Sequence, residues 1–113
     1  MSTSKVLPQL TAFSFGEEEV NFDETVAATC IITKGDQPIK IWWSLTESDS
    51  GIDRNLSSSD GVMITRNSQK VSILTIESVK ARHRGNYTCF ASNKAGITQH
   101  SAFLAVNGTS LKI

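Results

Sequence analysis

This chain of 113 residues is short of several things that other classes of protein need. It has two cysteines, two prolines and two histidines, and eleven basic side chains are balanced by eleven acidic ones. That neutral balance argues against nucleic acid or an anionic membrane surface as the main partner, because both reward a basic surplus. It also offers little long-range repulsion against self-association. No apolar run approaches the length of a membrane span, so no direct membrane insertion by this segment is expected. The opening residues, Met1 to Lys5, lack the apolar core of a signal peptide. No glycine-rich phosphate loop is present, since all seven glycines sit at turn signals. There is no internal repeat and no helical period of useful length.

What the chain does have is strand alternation. Pro8 to Phe15 reads as a first strand, with Pro8 suited to an edge. From Thr25 to Thr33, Val26, Ala28, Cys30 and Ile32 share one face. After the turn Lys34 to Pro38, Ile39, Ile41, Trp43 and Leu45 alternate again, with Trp42 pointing the other way. Residues 46–61 read as a polar loop with one short edge strand. Val62–Arg66 and Val71–Ile76 follow as strands about a turn at Asn67-Ser68-Gln69, with Leu74 and Ile76 inward and Val79 closing the core. A corner over Ala81–Gly85 leads to Asn86–Ser92, with Tyr87, Cys89 and Ala91 inward. A hairpin turn at Asn93–Gly96 leads to a last strand, Ile97–Val106, with Ala102, Leu104 and Val106 inward.

Short strands at turn-punctuated spacing predict an all-β, two-sheet antiparallel sandwich. The series Cys30…Trp43…Tyr87-Thr88-Cys89 reads as the core of an immunoglobulin-like version of it. In that reading Cys30 and Cys89 bridge the facing sheets, Trp43 packs on the sulfurs, Leu74 lies in the core, and Tyr87 makes the corner hydrogen bond. Closing a loop of about 60 residues contributes roughly 4 kcal/mol by the chain-entropy argument.

Chemistry is sparse. His83 and His100 are paired with no nucleophile by any pattern, so no catalytic residue is expected and the chain reads as no enzyme. Both cysteines are committed to the bridge, which leaves none for a zinc site. Asp49, Asp53 and Asp60 share a polar loop that could touch a cation, but without the ligand spacing of a calcium loop. No cofactor and no metal is expected.

The outward faces say more. Opposite Cys30, Leu74 and Ile76 point Ala27, Thr29, Ile31, Val71, Ile73 and Thr75, joined by Met63 and Thr65. None is charged, whereas a solvated sheet face normally alternates polar outward. Such a row is expected of an interface core, although scattered surface apolars are also ordinary. The other sheet carries a rival patch, Trp42, Phe90 and Phe103, of the aromatic kind favoured at hot spots. Three acceptor sequons, at Asn55, Asn86 and Asn107, point to a secretory route. Asn86 shares outward parity with Phe90, so a glycan there would shield part of the aromatic patch.

Three stretches bear a resemblance to a known family. Leu74-x-Ile76-x-x-Val79, Gly85-x-Tyr87-x-Cys89-x-Ala91-x-Asn93-x-x-Gly96 and Ala102-x-Leu104-x-Val106 resemble the intermediate set of immunoglobulin domains. More narrowly, Phe13 to Glu18, Gly35 to Ile39 and Ser78 to Cys89 resemble the arthropod Down syndrome cell adhesion molecule family. The likeness is to an isoform-variable domain of those receptors, or to the similar first domain of their shortened chelicerate relatives. It implies homophilic, isoform-specific recognition through a self-complementary sheet face. The partner would be an identical chain in an antiparallel two-fold dimer, with neighbouring immunoglobulin domains of the same receptor on either side. It also implies an extracellular place in a single-pass cell-surface protein, or secretion. One departure stands out: the family pattern has Asp two residues before the corner Gly, where it pairs with a base, and this chain has His83. On that reading the corner rests on Tyr87 alone. The expected layout is a tag or linker over 1–7, the domain over 8–107 and a linker or tail over 108–113, cut from a larger protein. A structural spacer domain of a modular muscle or extracellular protein is the alternative.

Overall fold

Side chains that alternate apolar and polar every second residue bury one face only if the backbone is extended. A computed structural model describes residues 6–48, 50–57 and 61–107 and shows that alternation realised. The strands are β1 (Gln9–Leu10), β2 (Val20–Asn21), β3 (Val26–Lys34), β4 (Lys40–Glu47), β5 (Asp53–Asn55), β6 (Met63–Ser68), β7 (Val71–Ile76), β8 (Gly85–Asn93), β9 (Gly96–Leu104) and β10 (Val106–Asn107). They form one antiparallel sheet in the order β1-β3-β7-β6 and a second in the order β5-β4-β8-β9. A small parallel pair, β2 with β10, closes one side.

The inward set is the core. Cys30, Trp43, Leu45, Leu74, Ile76, Val79, Tyr87, Cys89 and Leu104 are all at most 1% exposed. Cys30 and Cys89 are bonded across the sheets, with their Cα atoms 6.5 Å apart. In the strand registers Cys30 lies opposite Ser72 and Trp43 opposite Cys89. Trp43 Nε1 donates to Ser72 Oγ at 2.9 Å. Two links therefore cross the sandwich side by side, one covalent and one a buried hydrogen bond. An indole N–H cannot be left without an acceptor in such a place at less than about 1–3 kcal/mol. Ser72 is the polar residue at inward parity in β7, and alternation by itself gives no sign of its partner.

Three strand boundaries differ from those the alternation predicts. The first strand is not continuous from Pro8 to Phe15. After β1 the chain leaves the ladder so that Phe13 and Phe15 turn inward, with ring centroids 5.3 Å from Trp43 and from Tyr87 respectively. The rings there pack on the core aromatics instead of continuing an edge strand. The last strand is split at Ala105: Val106 and Asn107 leave β9 to pair in parallel with Val20 and Asn21. The turn expected at Asn67-Ser68-Gln69 falls later, because a bulge between Arg66 and Ser68 carries β6 through Ser68.

The corner before β8 is a single 3-10 turn, Ala81–His83. Tyr87 Oη donates to the His83 carbonyl. His83 is itself 2% exposed, and its Nδ1 accepts the Lys80 N–H at 2.8 Å. The expectation that Tyr87 alone holds the corner is thus corrected, since the imidazole also binds the backbone of the turn. Gly85 sits at φ +155°, and a Cβ there would collide with the Thr46 carbonyl.

The opposite end is tied in part by Val6, within the stretch expected to be a tag or linker. Val6 N donates to Asp36 Oδ2 at 2.8 Å, and Asp36 N donates back to Val6 O at 3.1 Å. Asn93 Nδ2 donates to both Val6 O and Asp36 O. Further on, Thr98 Oγ1 donates to Pro8 O, and His100 Nε2 to Phe13 O at 3.0 Å. Val6 is therefore hydrogen-bonded to the sandwich.

Candidate interaction faces

The register of the first sheet decides which outward side chains are neighbours. Ala27, Thr75 and Met63 form one row. Thr29, Ile73 and Thr65 form the next, and Ile31 with Val71 the third. Directly opposed residues on one face have Cβ atoms about 4.5–5.5 Å apart, so these rows make one contiguous panel. Met63 is half exposed and Ile31 is 37% exposed, while Thr29, Val71, Ile73 and Thr75 are half-buried by each other. No side chain in the three rows is charged.

The second sheet has different chemistry outward. Trp42 and Phe90 are register partners and stack, with centroids 5.2 Å apart and planes 8° from parallel. The row next to them is small and hydroxylic: Ser44, Thr88 and Ser101, with Asn55 at its β5 end. Thr88 Oγ1 and Ser101 Oγ lie 2.7 Å apart. The following row is Asp53, Thr46, Asn86 and Phe103. The expected aromatic patch is therefore not one cluster. Phe103, 49% exposed, stands two rows from the Trp42–Phe90 pair and directly opposite Asn86.

Two of the sequon asparagines, Asn55 and Asn86, are exposed on this second face. Asn107 is half-buried and donates through Nδ2 to Asn21 Oδ1 at 3.0 Å. The third residue of its sequon, Thr109, lies outside the described residues, as do Asp49 and Asp60 of the acidic loop. Asp53 accepts a hydrogen bond from Thr46 Oγ1. Among the described residues no group of three or more His, Cys, Asp or Glu is placed to hold a metal ion.

His83 and His100 serve structural hydrogen bonds at different places in the fold. A shallow groove of about 370 Å³, lined by Asp36, Gln37, Pro38, Asn93, Lys94 and Ala95, contains neither. Burial pushes the Tyr87 phenol well above its usual range, which keeps it a neutral hydrogen-bond donor. Among the described residues no helix is long and apolar enough to cross a membrane.

Two antiparallel sheets joined by a disulfide, with a tryptophan beside it and a tyrosine corner two residues before the second cysteine, define an immunoglobulin domain. The sequence profile of the Immunoglobulin domain family matches residues 8–93, and the chain belongs to that family. Within it the chain is Dscam-like. It is 37% identical over 102 residues to cell adhesion molecule Dscam1 of Drosophila melanogaster, covering 90% of this chain and 5% of Dscam1. It is 35% identical over 104 residues to human DSCAM, covering 92% of this chain and again 5% of the relative. The crystal structure of the Dscam1 Ig7 domain, isoform 5, superposes with a TM-score of 0.79 at 38% identity, over 89% of this chain and 97% of that one. A titin fragment, I67–I69, superposes with a TM-score of 0.76 at 26% identity, over 91% of this chain and 33% of that one. The chain thus spans about a twentieth of the curated relatives it matches, and its relatives are cell adhesion molecules.

Proposed function

We propose that this domain is a homophilic, isoform-specific recognition module of a cell-surface receptor. It works outside the cell without catalysis, between neighbouring immunoglobulin domains of the same chain. The observation that carries the reading is the uncharged panel Ala27–Thr75–Met63, Thr29–Ile73–Thr65 and Ile31–Val71 on the first sheet. A two-fold axis presses one patch against its own copy, so a charge at the centre would meet itself, whereas small β-branched and threonine side chains are compatible with their own image. Exchanging a few of them for bulkier or charged residues would disfavour unlike pairs by clash or by unpaired polar groups, which is a route to isoform specificity.

The placement of the sequons supports this sheet over the other. Asn55 and Asn86 both face outward from the second sheet, so sugars there would leave the first sheet bare. The Trp42, Phe90 and Phe103 side is the weaker interface for that reason. The likeness to titin domains favours one second reading, a structural spacer.

Sedimentation separates the two. The domain is expected to dimerise in a concentration-dependent way, burying at least about 1,000 Å². Ile73→Glu or Thr29→Glu is expected to return it to monomer with its fold intact. A domain that stays monomeric at high concentration supports the spacer, and a dimer untouched by both substitutions rejects this face.

A further inference from the structure

Each exposed sequon asparagine on the second sheet has an outward aromatic beside it. Asn86 and Phe103 are register partners across β8 and β9, on the same face. Side chains so placed have Cβ atoms about 4.5–5.5 Å apart. Asn55 is the register partner of Ser44, and Trp42 lies two residues from Ser44 on β4, which makes Asn55 and Trp42 diagonal neighbours. Diagonal pairs sit about 7–8 Å apart, within reach of long and aromatic groups. Between the two aromatic rows runs the low hydroxyl row Ser44, Thr88 and Ser101. These side chains are small, Ser44 and Thr88 are buried, and Thr88 and Ser101 bond each other, so the aromatic rings rise on either side of a low strip. An aromatic ring so placed suits a pyranose, whose C–H face packs on π systems. Phe103, which is exposed, and the half-buried Trp42 and Phe90 otherwise leave apolar surface in water.

We infer that the outward aromatics of this sheet are rests for the domain's own N-linked glycans: Phe103 for the sugar on Asn86, and the Trp42–Phe90 stack for the sugar on Asn55. The sugar arrives from a polyprenyl-pyrophosphate-linked oligosaccharide. Its C1–O bond to phosphate breaks, an N–C1 bond forms at the asparagine Nδ2, and that nitrogen gives up one proton as the pyrophosphate carrier leaves. Nδ2 keeps its other hydrogen. The first N-acetylglucosamine at each site then lies against the ring beside it, which covers that ring and orders the glycan along the sheet. This inference depends on passage through a glycosylating compartment and is independent of whether the first sheet self-associates.

The test is made on the domain secreted from glycosylating eukaryotic cells, alongside Phe103→Ala, Trp42→Ala, Asn86→Gln and Asn55→Gln. Mass spectrometry reads occupancy, and NMR reads the protons of the first N-acetylglucosamine at each site. Those signals are expected upfield of the same sugar on an unfolded glycopeptide. The Asn86 sugar should lose that shift in Phe103→Ala only, and the Asn55 sugar in Trp42→Ala only. A variant that fails to fold is replaced by Phe103→Leu or Trp42→Leu, which keep the bulk and remove the ring current. Empty sequons, or sugars whose shifts ignore both aromatic substitutions, overturn the inference.

Discussion

The two sheets share one plan and differ in what they turn outward. Their inner halves are interchangeable in kind: buried aliphatics, a cysteine each, and one member each of the Trp43–Ser72 pair. Outward, the first sheet is small, uncharged and without a sequon, whereas the second carries stacked aromatics, a hydroxyl row and two exposed sequon asparagines. Packing specifies only every second residue of a strand, because only those side chains leave water. The rest are free to be chosen for what the surface meets. The likeness of the sheets therefore reports folding, while their difference is not required by it.

The comparison breaks most severely if inner residues prove dispensable. Trp43→Ala is expected to cost about 3–5 kcal/mol, as for other buried large-to-small aromatic substitutions. Replacing Cys30 and Cys89 together by Ala should cost a similar 2–5 kcal/mol. Urea unfolding measures both, and a loss below about 1 kcal/mol for either would mean that the inner faces do not hold the sandwich.

Tyr87→Phe tests the corner. It leaves the His83 carbonyl without its phenol donor, at about 1–3 kcal/mol. It also changes the response to alkali. The phenol is held above its usual range in the fold, so the unfolded chain releases that proton first, near pH 10. Stability from this group is complete below about pH 10 and is lost as pH rises beyond it. The steepness of that loss should diminish in Tyr87→Phe, read as urea midpoints against pH, and an unchanged profile would show that burial does not hold the phenol neutral.

Ser72→Ala sharpens the comparison at a buried polar residue of inward parity. It should cost about 1–3 kcal/mol through the Trp43 N–H that it strands, more than a surface serine would. The smallest effects belong to the outward set. Thr65→Ala on the first sheet and Gln99→Ala on the second should each change stability by no more than about 0.5 kcal/mol. Costs there that rival those of Ser72 would erase the distinction between a face used for folding and a face left free of it.

Much of this was legible in advance, for identifiable reasons. The alternation of Val26, Ala28, Cys30 and Ile32, and of Ile39, Ile41, Trp43 and Leu45, carries its own direction, and a strand cannot slip by one residue without exposing the whole set. Cysteine, tryptophan and tyrosine at sandwich spacing then named the architecture. Less legible were contacts with no periodic signal. The strap through Val6, Asp36 and Asn93 joins residues far apart in sequence by hydrogen bonds that ordinary polar residues make. His83 was visible as a departure, but its bond to the Lys80 N–H depends on the backbone of a 3-10 turn. The aromatic patch was misgrouped because parity assigns a face without assigning a row.

The chain's own letters determined which side chains face in and which face out, since that follows from a two-residue period and the cost of leaving apolar groups in water. Only the tertiary structure decided which outward residues are neighbours. Register between strands is set by turns, bulges and the facing sheet, and it is register that sets Phe103 beside Asn86 and Ile73 between Thr29 and Thr65.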